Sequence, residues 1–182
     1  MRVQRPDPEL DATDLQILDL LQESCKRPLA AIGEKVGLSA PAVMERVHKL
    51  EEAGVIRSYV ALLDARLLGM DVTAFIGVCV AHPKLIGTFE REVALIESVL
   101  ECHHVTGAHT FLLKVRTENT ESLEDLIDRV RSLEGVTRTE TNVVLSTPTE
   151  RTRIALDLDE PEGRQRPRRI LRERAGRTKS AE

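Results

Sequence analysis

The chain has no tryptophan, one tyrosine and three phenylalanines among its 182 residues. So few aromatic faces exclude the stacking platform on which single-stranded nucleic acid is held. Three cysteines, Cys25, Cys79 and Cys102, lie far apart with no Cys-x-x-Cys pair. They supply neither a disulfide framework nor a zinc-finger spacing, and are expected to be reduced. No run of eighteen apolar residues occurs, and the opening MRVQRPDPEL lacks the apolar centre of a signal peptide. No membrane association is expected, and the location read from this is cytoplasmic.

Catalytic signatures are missing too. There is no Gly-x-x-x-x-Gly-Lys phosphate loop, no His-Glu-x-x-His and no Gly-x-Ser-x-Gly elbow. Acidic pairs such as Glu51 and Glu52 read as solvated helix charges, so an enzyme is not expected and no cofactor is implied. A net positive charge is also lacking. The formal value of −4 speaks against a surface that binds nucleic acid all over, because Lys and Arg neutralise the phosphates. Between residues 164 and 179, however, eight basic side chains stand against one acidic, and this +7 leaves about −11 for the remainder. Contact with DNA is thereby confined to a local patch.

What is present is a compact helical reader. In LAAIGEKVGLSAPAVMERVHKLEEAG, residues 29–54, Leu29, Ile32 and Val36 make one apolar side of a helix opened by Pro28 and closed by Gly37. Ser39 then caps a second helix from Ala40 to about Ala53, with Val43, Val47 and Leu50 inward. Pro41 is tolerated in its first turn, and Gly33 leaves room for a steep crossing. The outward face offers Ser39, Ala40, Pro41, Ala42, Glu45, Arg46 and Lys49, with His48 beside it. Hydroxyl, cationic and small groups suited to base edges, phosphates and thymine methyls are all there. An ordinary helical hairpin with solvated charges has the same spacing. A preceding helix, capped by Asp11 and carrying Leu15, Leu18 and Leu21, would buttress the pair. The β-branched residues 55–63, VIRSYVALL, read as a strand, either a wing whose Arg57 meets phosphate or a connector.

LDATDLQILDLLQE, then LAAIGEKVGLSAPAVMERVHKLEEAGVIRSY, then LDARLLGM resemble the N-terminal half of the Lrp/AsnC (leucine-responsive regulatory protein) transcription regulators. The VGLS motif, followed by a valine, an arginine, LE and GVI, is specific in combination. This resemblance covers roughly residues 10–150 and implies a winged helix-turn-helix joined to an α/β ligand and oligomerisation domain.

The second half reads independently as β-α-β-β-α-β. Residues 71–81 form a strand apolar on both faces; residues 83–97 a helix bearing Ile86, Phe89, Val93 and Ile96; residues 99–105 and 110–116 two strands around Gly107. Residues 120–133 form a second helix with Leu123, Leu126, Ile127, Val130 and Leu133 on one face, and residues 136–146 a last strand. This order is a ferredoxin-like split unit with both helices on one sheet face, leaving the other to pair with a partner. The fold class is therefore α+β, an N-terminal winged helix-turn-helix plus a ferredoxin-like domain, and the family resemblance implies that this domain is ACT-like. Expected boundaries are a disordered 1–9, a DNA-binding 10–63, a linker 64–70, an α/β domain 71–152 and a charged, disordered tail 153–182. A twofold dimer would present two recognition helices to successive major grooves of double-stranded DNA. The resemblance adds assembly into octamers.

The turn VTGAHTF bears on any effector. In the resembling family it commonly reads glycine, aspartate, any residue, aspartate, and borders an amino-acid site. Here it reads Gly107, Ala108, His109, Thr110, without either carboxylate. A carboxylate is the natural partner of an α-ammonium group, so the usual mode of amino-acid binding is weakened. Two readings stay open, a ligand-free turn and a retained site for an amino acid or related metabolite. That site would be bordered by Gly107, Ala108, His109 and Thr110, with Thr139 and Thr141 as further candidates. Cys102, His103, His104 and His109 raise a metal reading, but Cys102 and His104 alone can share one strand face, and two ligands do not complete a tetrahedral site. No metal is expected.

The function read from these features is a sequence-specific DNA-binding regulator, at least dimeric and modulated by a small molecule. The rival readings are a weakly specific architectural DNA-binding protein without effector, and a ligand-binding regulatory subunit of a metabolic enzyme. The basic tail is either a solvated extension or an arm that adds phosphate contacts.

Overall fold

A computed structural model describes residues 9–158, so most of the expected N-terminal segment and the basic part of the tail lie outside the described residues. The chain divides into two units, one holding the residues up to Val60 together with those from Arg151 onward, the other Ala61–Glu150.

In the first unit, α1 spans Ala12–Glu23. Its N-terminus is closed by a capping box: Asp11 Oδ1 accepts from the Asp14 N–H at 2.8 Å, and Asp14 Oδ2 accepts from the Asp11 N–H at 3.2 Å. The next helix, α2, spans Leu29–Val36 and ends at Gly37, whose φ of 72° only glycine adopts freely. Ser39 caps α3, Ala40–Glu52, by accepting from the Ala42 N–H at 3.4 Å. Ile17, Ile32 and Val43, one from each helix, are fully buried together and ringed by Leu20, Leu21, Leu29, Val36, Leu38 and Val47. Three helices thus share one small apolar centre.

Two expectations need revision here. Residues 55–63 form no strand within the chain, so the wing is not made. A β-strand needs a ladder partner for its N–H and C=O groups, and β-branched composition alone supplies none. Second, the segment assigned to the tail at 153 begins as a fitted part of this unit. Arg153 Nη2 meets both carboxylate oxygens of Asp19 on α1 at 2.7 and 2.8 Å. The Gln22 side-chain amide accepts from the Ile154 N–H at 2.7 Å and donates to the Ile154 carbonyl at 3.0 Å, as a neighbouring strand would.

The second unit has the expected β-α-β-β-α-β order: β1 Val72–Val80, α4 Ile86–Val93, β2 Val99–His104, β3 Phe111–Thr117, α5 Thr120–Arg131 and β4 Val136–Val143. The four strands lie in the order β2-β3-β1-β4, all antiparallel, with Ile76 opposite Leu113 on one side and Thr141 on the other. Alternation along β1 and β3 sends Ala74, Ile76, Val78, Phe111, Leu113 and Val115 to one face, where Phe89 and Val93 of α4 and Leu123, Leu126 and Val130 of α5 cover them. The Phe89 and Phe111 ring centroids are 4.7 Å apart. Both helices therefore lie on one face, and the opposite one carries Phe75, Gly77, Cys79, Leu112 and Lys114. The helix expected over residues 83–97 is shorter at both ends: Pro83–Leu85 forms a 3-10 turn in which His82 Nδ1 accepts from the Lys84 N–H, and α4 stops at Val93.

Candidate nucleic-acid interface

The turn between α2 and α3 is only as tight as Gly33 allows. A Cβ there would collide with the Leu38 carbonyl oxygen, which belongs to the connecting backbone. This glycine lets the start of α3 press against α2, while the Ser39 cap satisfies an N–H in the first turn of α3.

At 100° per residue, Ala42, Glu45 and Lys49 fall in one row along α3. Glu45 and Lys49 are exposed and Ala42 half-buried beside them. Lys49 Nζ lies 2.8 Å from Glu45 Oε1, so the helix's outward cation and anion are paired. Hydrogen bonding and the charge of Lys49 hold the Glu45 carboxyl below its usual range. Ser39 and Pro41 are exposed at the tip, Ala40 half-buried. His48 sits 4.0 Å from Glu51 and 3.4 Å from Glu52. Arg57, just past the helix, is exposed and makes no ion pair among the described residues. Tyr59 anchors that exit by donating to Glu51 Oε1 at 2.8 Å; partial burial and this carboxylate push its phenol up to about 12.

Arg46 does not stand with the others. Its Nη1 lies 2.7 Å from Asp11 Oδ2 and 2.8 Å from Asp14 Oδ1, so a candidate base reader is engaged by the capping box of α1. The sequence carried a cue: Val43, Arg46 and Leu50 are spaced three and four apart, and the flanking pair is buried. Arg46 therefore belongs to the rim of the apolar row. Asp11, read from sequence only as a helix cap, and Asp14 beside it are its partners. Burial pushes the Asp11 carboxyl up, but hydrogen bonds from the Asp14 N–H and Arg46 outweigh this and hold it below the usual aspartate range. The guanidinium is held above its ordinary value by its hydrogen bonds to the Asp11 and Asp14 carboxylates.

The six effector candidates do not meet in one place in the chain. Gly107, with φ 116°, turns the chain back so that His109 lies over Gly77 on the helix-free face. There His109 Nδ1 is 3.8 Å from Cys79 Sγ, His109 Nε2 is 3.8 Å from Glu140 Oε2, and the Cys79 thiol donates to the Ala108 carbonyl at 3.4 Å. Thr110 is used internally: its N–H donates to the Val78 carbonyl at 2.8 Å and its Oγ1 accepts from the Val80 N–H at 3.2 Å. Thr139 and Thr141 pair with Val78 and Ile76, which places them on the opposite, helix-covered face, and Thr139 Oγ1 accepts from Arg131 Nε at 3.0 Å. A polar cleft of about 450 Å³ exists in this unit, but it is lined by Asp64, Arg66, Thr73, Arg116 and Ser146 at the other end of the sheet. None of the six candidates borders it. The metal candidates are also dispersed, with His104 stacked on Phe111 at 4.9 Å and His103 bonded to Glu101 at 2.8 Å. Among the described residues no group of three or more His, Cys, Asp or Glu could hold a metal ion, and no helix is long and apolar enough to cross a membrane.

Residues 10–51 match the AsnC-type helix-turn-helix domain and residues 73–154 the Lrp/AsnC ligand binding domain. The chain is 35% identical over 147 residues to the HTH-type transcriptional regulator FL11 of Pyrococcus horikoshii, covering 81% of this chain and 97% of that one. It is 41% identical over 134 residues to the leucine-responsive regulatory protein of Rhizobium meliloti, covering 72% and 83%. Among solved structures, Escherichia coli AsnC superposes with a TM-score of 0.75 at 27% identity, over 80% of this chain and 98% of that one. A Neisseria meningitidis transcriptional regulator in complex with L-Met gives 0.77 at 29% identity, over 82% and 98%. The two matched domains, in this order and on this fold, mean that the chain belongs to the Lrp/AsnC family of helix-turn-helix transcriptional regulators, and is a regulator rather than an enzyme.

Proposed function

We propose that α3 enters the DNA major groove by its Ser39 end and that the row Ala42, Glu45 and Lys49 faces the base edges. Ser39, Ala40 and Pro41 set the approach, and Arg57 touches the flanking phosphate backbone. The observation that supports this is the Gly33-dependent turn, which presents a capped helix whose Glu45 and Lys49 are exposed. The regulator works in the cytoplasm as a homodimer joined through the helix-free sheet face, whose part-buried Phe75, Cys79 and Leu112 suit contact with a second copy. Further assembly to an octamer is consistent with the family. By analogy with the relative that holds L-Met, the second unit takes a small molecule such as an amino acid or related metabolite near the turn Gly107–Ala108–His109–Thr110, with Thr139 and Thr141 completing it only where copies meet.

The test is binding to DNA from upstream of its own gene against scrambled DNA, at two salt concentrations, with and without a panel of amino and keto acids. Preference for its own DNA, changed by one compound, supports this reading. Equal affinity for both with no ligand effect overturns it in favour of an architectural role. One observation favours that second reading: His109 and Thr110 already have partners within the chain, so the turn offers an effector few unused groups.

A further inference from the structure

We propose that Arg46 is a positioning residue for DNA recognition: its ion pairs with Asp11 and Asp14 fix α3 against α1, and bases are read by the row beside it. The inference rests on the reading that the outward row of α3 meets DNA. Arg46 is the residue of α3 best equipped to grip a guanine edge in two-pronged fashion, yet its guanidinium is engaged by two carboxylates of α1. Both acceptors come from the start of α1, one the N-cap and one the N3 position, and each also closes the capping box. The two acids therefore have their orientation set by backbone N–H groups before they meet the cation. Asp14 is 14% exposed and Arg46 33%, so this pair is better shielded from screening than the 68%-exposed Lys49–Glu45 pair on the same helix.

A planar guanidinium held by two separately anchored carboxylates resists rotation of α3 about its own axis. A small rotation of α3 would carry Ala42, Glu45 and Lys49 away from the base edges while leaving the unit folded. Release of the clamp then weakens specific binding at every base position at once and narrows the gap between specific and random DNA. Removing a residue that reads one base would act at one position.

The experiment uses the full chain with Arg46→Gln, Arg46→Lys, Asp11→Asn with Asp14→Asn, and the combination of Arg46→Gln with both asparagines. Asparagine keeps the capping acceptor and removes the charge. Affinity is measured for a selected site, for that site with each base pair changed, and for random DNA, at a temperature where circular dichroism shows every variant folded. The expected result is a loss of about tenfold in specific over random affinity for both Arg46→Gln and the asparagine pair, spread evenly over the site. The combination should be no worse than either, and Arg46→Lys should restore part of the preference. Loss confined to one base pair, with the asparagine pair unaffected, makes Arg46 a base reader and overturns the proposal. A fall in melting temperature with an unchanged specific-to-random ratio makes the clamp a stability feature alone and also overturns it. Lys49→Gln and Glu45→Gln test the underlying reading separately: if neither alters site preference while the Arg46 variants do, the row fails as the reader and Arg46 retains its influence.

Discussion

His109 occupies the space above Gly77 that any side chain at that position would need: a Cβ there would come within 2.5 Å of the imidazole Cδ2. The glycine in β1 and the histidine in the turn are therefore one packing decision. Gly77→Ala should expel the ring and loosen residues 105–110, at a cost of about 1–3 kcal/mol, the usual range for overpacking. His109→Ala in the same chain should return most of that loss. A double-mutant cycle by thermal or urea unfolding checks the coupling, and additive effects would show that the two residues do not share the space.

Gly33→Ala is expected to be more severe, since its added carbon meets the Leu38 backbone oxygen and not the end of a movable side chain. The helix-turn-helix should lose about 3 kcal/mol or more, at the upper end for overpacked sites. Unfolding of this unit, followed by hydrogen exchange at Ile32 and Val43, should shift while exchange at Leu113 does not. Equal loss of protection in both units would contradict the local assignment.

Acid should weaken the first unit through Asp11. Its carboxyl titrates below the usual aspartate range in the folded chain, so the unfolded state binds the proton more readily. The stability this confers is fully present above the unfolded value and is lost as pH falls through the lower, folded one. The melting temperature of wild type should therefore drop below about pH 4 more steeply than that of Asp11→Asn. Parallel curves would mean that Asp11 contributes nothing to the linkage.

In the second unit, Phe111 is buried against Phe89 and carries the stacked His104. Phe111→Ala should cost about 3–5 kcal/mol, measured by denaturant unfolding. The change lies on the helix-covered face, so any association with a partner through Phe75 and Leu112 should be spared. A loss below about 1 kcal/mol would indicate that the sheet closes over the gap.

The basic stretch of residues 164–179 gives a charge-based prediction. If it touches phosphate, replacing its eight basic residues with glutamine should make the dependence of log affinity on log salt shallower, by roughly 0.9 for each phosphate that is no longer neutralised. An unchanged slope leaves the stretch as a solvated extension.

Strand and helix order in the second unit was legible because burial follows local periodicity: the alternation of Phe111, Leu113 and Val115 and the three-four spacing of Leu123, Leu126 and Val130 each identify a face without a partner being known. The turn before α3 was legible for the same reason, with Gly37 and Ser39 as local punctuation. Side-chain partners were not. Arg46 finds its acids 35 and 32 residues away, and a cation on a helix looks equally suited to phosphate, guanine or carboxylate until the neighbouring helix is placed. Residues 55–63 show the reverse error, where strand-forming composition was present but the ladder partner was not. His109 likewise read as the border of an effector site, because nothing in its own turn announces Gly77, which lies far back in the chain.

The bidentate link between the Gln22 amide and the Ile154 peptide unit joins residues 132 positions apart. The DNA-binding unit is thus discontinuous in the order of synthesis: α1 leaves the ribosome first, and the segment that satisfies Asp19 and Gln22 arrives only after the whole sheet domain has been made. A fragment cut at residue 63 would contain every helix of the reader yet leave those two side chains facing water. Measurements on such a fragment would describe an unfinished object, and a nascent chain stalled before residue 154 would carry the same incompletely closed helix.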